Sequence, residues 1–130
     1  MTLKYLTMKG VLYAHRVMLE KYGGQDGVRA MDALESCVNQ PQQQFGGQDL
    51  YPDIFSKAAA YVFLICKNHP FLDGNKRTTA FTMLLFLELN GYEFTAENDD
   101  FENMILDIAQ SKEDMESITN WIKTHSQPLT

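Results

Sequence analysis

The sequence predicts an all-α fold: a bundle of about six helices in a single domain over residues 1–130, with a short flap or hairpin before the central helix. Three observations predict it. Apolar residues recur at helical spacing in six segments, each bounded by capping or breaking residues. One of these, centred on Ala58 to Cys66, is apolar on nearly every side, as a helix buried all round must be. The stretch before it, Gln42 to Pro52, is rich in Gln and Gly and has no helical period.

Taken in order, Leu3 to Leu6 reads as a brief strand or lead-in, and Thr7 as the cap of a first helix over about residues 8–22. Val11, Leu12, His15, Leu19 and Tyr22 share a face of it, and Gly23-Gly24 stops it. His15 on that stripe reads as a partly buried, hydrogen-bonded histidine rather than a ligand. Asp26 is expected to cap a second helix carrying Val28, Met31, Leu34, Cys37 and Val38, which Pro41 ends. Asp53 caps the third, Ile54 to about Asn68, and His69-Pro70 breaks it, because a residue before proline is pushed out of the helical region.

A fourth helix runs from about Asn75 to Asn90 and ends at Gly91. Helices three and four, both strongly apolar and joined by a short loop, are expected to pack antiparallel and hold that loop rigidly. Tyr92 to Phe94 reads as briefly extended. Asp99 or Asp100 is expected to cap a fifth helix, and Ser111 with Asp114 resembles a capping box for a sixth, with a frayed tail after His125.

With 45% hydrophobic and 22% charged residues the composition is that of an ordinary globular domain. The apolar run at Ala58 is too short to span a bilayer and the N-terminus lacks a secretory core, so no membrane partner is expected and the chain reads as cytoplasmic. A net charge of -6 argues against a nucleic-acid partner. Cys37 and Cys66 fall on apolar helix faces without metal-ligand spacing and read as buried free thiols.

The chemistry gathers between helices three and four, at His69-Pro70-Phe71-Leu72-Asp73-Gly74-Asn75-Lys76-Arg77. A loop entering a helix offers unpaired backbone N–H groups and the positive end of the dipole; Gly74 permits close approach, and Lys76 and Arg77 add positive charge. His69 can accept a proton and Asp73 can hold a cation beside the bound anion. No GxxxxGK[ST] sequence is present, so this is not a P-loop. The competing reading makes Asp73-Gly74-Asn75 a plain turn, with Lys76 and Arg77 solvated and His69 a helix cap.

The same nine residues resemble the Fic-superfamily signature HPFx[D/E]GN[G/K]R, and more closely its Doc, or death-on-curing, branch. Tyr22-Gly23-Gly24, the run from Gly27-Val28-Arg29 through Leu34-Glu35-Ser36 to Pro41, and Leu85 to Gly91 are also similar to Doc-type sequences. The resemblance implies a Fic/Doc-like bundle in which His69 is the catalytic base, Phe71 anchors the loop, Asp73 holds Mg2+, and Gly74, Asn75, Lys76 and Arg77 bind phosphate. It implies a flap, Gln42 to Tyr51, that docks the target protein. It further implies a toxin that uses ATP and Mg2+ to phosphorylate a hydroxyl of a translation protein, elongation factor Tu. A separate Phd-like antitoxin would restrain it, since the Fic inhibitory pattern [S/T]xxxE[G/N] does not occur here.

Fic adenylyltransferases have glycine where this chain has Lys76 and a second arginine where it has Ala80, and both departures favour phosphate transfer. Gly74 keeps the Fic-like glycine and leaves AMP transfer as the alternative. A module that only binds an antitoxin or another protein is the non-enzymatic alternative.

Overall fold

The computed structural model describes residues 3–129, and among them six α-helices account for most of the chain. Helix α1 is Met8–Tyr22, α2 Met31–Asn39, α3 Ile54–Asn68, α4 Asn75–Leu89, α5 Asn98–Ala109 and α6 Met115–Thr124. A single 3-10 turn, Gln40–Gln42, and two short antiparallel pairs complete it: β1 (Gln44–Phe45) with β2 (Gln48–Asp49), and β3 (Tyr92–Phe94) with β4 (Ser126–Pro128). The expected all-helical architecture and the hairpin before the central helix are both present. No described helix is long and apolar enough to cross a membrane.

Helix α3 is the axis. Ala58, Ala59, Ala60, Tyr61, Ile65 and Cys66 are all buried, and its most extensive packing is against α4 and then α6. The sequence pointed to α4; the share taken by α6 through Ile118 and Ile122 was not anticipated. Asp53 caps α3 in a reciprocal box with Ser56, an arrangement that contributes about 1 kcal/mol. Thr7 caps α1 by accepting from the Gly10 N–H, and Gly23, at φ 80°, ends that helix as expected.

Four local expectations are corrected. Helix α2 starts at Met31 after Ala30, not at a cap by Asp26, because residues 27–30 are drawn into backbone pairing with the loop before α4. Helix α5 begins after Glu97 without a side-chain cap, and Asp99 and Asp100 lie inside its first turn, where carboxylates favour the helix dipole. The capping box of α6 is Asp114 with Ser117; Ser111 instead takes a left-handed turn at φ 61°. The stretch after His125 is not frayed: Ser126 to Pro128 pairs with β3, and the Thr95 N–H donates to the His125 carbonyl. Of the two readings offered for residues 3–6 the lead-in holds, with Leu6 buried and its N–H donated to the Tyr61 hydroxyl.

Candidate functional site

His69 ends α3 in the left-handed conformation, φ 46° and ψ 59°. That region is disfavoured for a residue with a Cβ and persists where surroundings over-determine it. They do so here. The His69 N–H donates to the Ile65 carbonyl, its own carbonyl accepts from Arg29 Nε at 2.8 Å, and Pro70 follows. Arg29 also donates to the Asn68 carbonyl, so one guanidinium neutralises the C-terminal end of α3. The His69 residue itself is exposed, so its backbone is fixed while its imidazole faces outward.

The loop from Pro70 to Gly74 is braced from three sides. The Arg29 and Ala30 N–H groups both donate to the Pro70 carbonyl, and the Leu72 N–H donates to Gly27, with Val28 bridging Phe71. From the α4 side, the Asn75 amide accepts from the Phe71 N–H at 3.0 Å and donates to the Phe71 carbonyl at 2.9 Å. From the α1 side, the His15 ring stacks on Phe71, centroids 3.8 Å apart and planes within 7°. Phe71 is buried, as an anchor must be.

His15 Nε2 lies 2.8 Å from the Asp73 carbonyl. A carbonyl only accepts, so Nε2 carries the proton. His15 is thus the buried, hydrogen-bonded histidine expected from its place on the α1 stripe, and its bond is to the loop.

The Asp73 carboxylate takes one N–H on each oxygen, from Gln25 and from Gly74. Those bonds, Gln25 first, hold its carboxyl below the usual carboxylate value, with a smaller contribution from the Arg77 charge. Gly24 makes the approach possible: a Cβ there would lie 2.9 Å from Asp73 Oδ2, and its φ of 124° suits glycine. A carboxylate has about four acceptor positions, so two remain on Asp73 for a cation.

Gly74 heads α4 at φ 77° with no side-chain cap. The N–H groups of the first turn are therefore left for an incoming anion, beside exposed Lys76 and Arg77. The Arg77 guanidinium lies 4.2 Å from the centroid of the half-exposed Tyr22 ring, which lends it a fixed position.

The sequence-predicted residues thus occupy one loop and helix start, but with divided labour. His69, Asp73, Lys76 and Arg77 are exposed toward solvent, whereas the Asn75 side chain is engaged in bracing Phe71. What sequence reasoning missed are the braces: Arg29, Gly24, Gln25, Tyr22 and the bond made by His15. A signal existed in Tyr22-Gly23-Gly24, where two consecutive glycines point to a close backbone approach.

An all-helical bundle that supports a histidine, a carboxylate and an uncapped helix N-terminus on one braced loop is the class of protein that the fold and the loop define. Comparison with known sequences gives that class its family. A profile of the Fic/DOC family matches residues 5–87, and the chain belongs to that family. It is 34% identical over 117 residues, 88% of each chain, to "Toxin Doc" of Mycolicibacterium smegmatis. It is also 26% identical over 91 residues, 70% of this chain and 71% of the other, to "Protein kinase doc" of Escherichia phage P1.

Proposed function

We propose that this protein is the toxin of a toxin–antitoxin pair and a phosphotransferase: it moves the terminal phosphate of ATP to a hydroxyl of a translation protein, elongation factor Tu, in the cytoplasm. The observation that carries the reading is the pairing of an exposed imidazole at His69 with the uncapped first turn of α4. The relatives' names, a toxin and a protein kinase, supply the biological setting.

The residues fit a nucleotide triphosphate. The N–H groups of the Asn75 turn and the cations of Lys76 and Arg77 match the charge of a polyphosphate, and Gly74, at φ 77°, supplies the left-handed turn that leads into them. They also fit Mg2+, because the ion is held by one or two carboxylates with phosphates and waters, and Asp73 offers one ionised carboxylate. Bound there, Mg2+ would neutralise charge on the phosphates.

In the transfer, His69 takes the proton of the target hydroxyl as its oxygen forms the new P–O bond. The bond to the bridging oxygen breaks, and ADP leaves with the electron pair. Lys76 and Arg77 stabilise the charge that develops on the phosphoryl oxygens. The flap at 44–49 offers free strand edges on which an extended segment of the target can pair. A Phd-like antitoxin restrains the enzyme until needed.

Gly74 does not favour AMP transfer over this reading. Its φ of 77° gives the glycine a backbone reason independent of which phosphate is presented. Incubation with elongation factor Tu and ATP labelled at the γ- or α-phosphate tests the proposal. Transfer of γ-label alone supports it, transfer of α-label replaces it with adenylylation, and transfer of neither leaves a binding module.

A further inference from the structure

The hairpin between α2 and α3 carries no buried residue: 42–50 are exposed throughout. A two-stranded hairpin of this size is marginal alone, so its position depends on what ties it down. Two side-chain ties run from it to the body among the described residues. One is weak, the Gln42 amide at 3.5 Å from the Val38 carbonyl.

The other is Lys57, which is 2% exposed in the first turns of α3. Its ammonium lies 2.9 Å from Asp49 Oδ2, donates to the Tyr51 carbonyl, and sits 5.8 Å from the centroid of the Tyr5 ring. Its anionic partner lies in the flap and its carbonyl partner in the bend that leaves it. Gln44 closes the hairpin by donating to the other oxygen of Asp49.

A buried ammonium is a costly thing to keep. Replacing a buried ion pair by apolar groups is often neutral or stabilising, so such a pair is weak evidence for stability and better evidence for position. The three positions that follow it along α3, Ala58 to Ala60, are buried alanines, which shows that this part of the bundle accepts apolar side chains.

We propose that Lys57 is the positioning residue of the flap: its ammonium holds Asp49 and Tyr51 so that the hairpin edge is presented at a fixed height to an extended segment of the protein substrate. The inference rests on the flap being the docking edge described above.

The test uses the full chain as Lys57→Met and Asp49→Asn, read by amide hydrogen exchange and by steady-state transfer to elongation factor Tu. Exchange at residues 44–49 is expected to quicken by about tenfold or more while α3 and α4 keep their protection. KM for the protein is expected to rise several-fold, with KM for ATP held within about twofold. Unchanged flap exchange in both variants overturns the proposal, and so does faster exchange with an unchanged KM for the protein. Should Lys57→Met fail to fold, Asp49→Asn at the surface decides by the same criteria. A parent that modifies no protein removes the docking role together with the proposed function, while exchange still decides whether Lys57 holds the flap.

Discussion

His15 Nε2 donates to the Asp73 carbonyl at 2.8 Å while the face of the same ring covers Phe71 at 3.8 Å. One buried side chain on α1 thus fixes both the anchor of the loop and the backbone of its carboxylate. Replacing His15 with Ala removes the stack and leaves a carbonyl without its donor. The expected loss is about 2–4 kcal/mol in urea unfolding, with kcat falling more than KM for ATP.

Asn75 closes the loop from the other side, with both its amide atoms bonded to Phe71. Asn75→Ala removes both bonds at a cost of about 1–3 kcal/mol. Asn75→Asp keeps an acceptor for the Phe71 N–H but sets a second acceptor against the Phe71 carbonyl. Both variants should lose transfer activity although both keep Lys76 and Arg77, with Asn75→Ala the cleaner of the two because it adds no charge, and denaturant melts beside activity assays check this.

Tyr22 holds Arg77 by the face of its ring. Tyr22→Phe keeps that face and should behave as the parent. Tyr22→Leu discards it and should raise KM for ATP about two- to five-fold, the size of an exposed cation–π contact of about 0.5–1 kcal/mol. Equal KM values in the two variants would remove Tyr22 from the site.

Asp73 sets an acid limit. Its folded carboxyl lies below the ordinary value of 3.8, chiefly because the Gln25 and Gly74 N–H groups favour the ionised form. The stability this supplies is full above the ordinary value and is lost as pH falls through the lower, folded-state value. The difference in unfolding free energy between parent and Asp73→Asn should therefore hold constant at neutral pH and shrink in strong acid. A difference that does not change with pH contradicts the assignment.

Much of this was legible in the residues. Thr7, Gly23-Gly24 and Asp53 mark real helix ends because side-chain caps and left-handed glycines act locally. The nine residues from His69 to Arg77 do lie together at the junction of two buried helices. Cys37 and Cys66 are free and buried, and burial pushes the Cys37 thiol up to about 11, which makes it a poor nucleophile.

The rest depended on partners distant in the chain. The pairing of residues 27–30 with the loop near 71 is made by backbone groups, which leave no side-chain period, so Asp26 drew the helix start too early. The same holds for β4, whose partner lies some thirty residues earlier at β3 and has no signature in Ser126 to Pro128 itself. Lys57 did leave a trace, a lone cation at the head of an otherwise apolar run, but its meaning lies in Asp49 and Tyr51.

The central claim is that His69 delivers a target hydroxyl to the terminal phosphate of ATP. Intact-mass analysis of elongation factor Tu, incubated with ATP and Mg2+ and either the parent or His69→Ala, tests it most directly. A gain of one phosphoryl group with the parent and none with His69→Ala is predicted. A gain of AMP, or the same phosphoryl gain with His69→Ala, would contradict it.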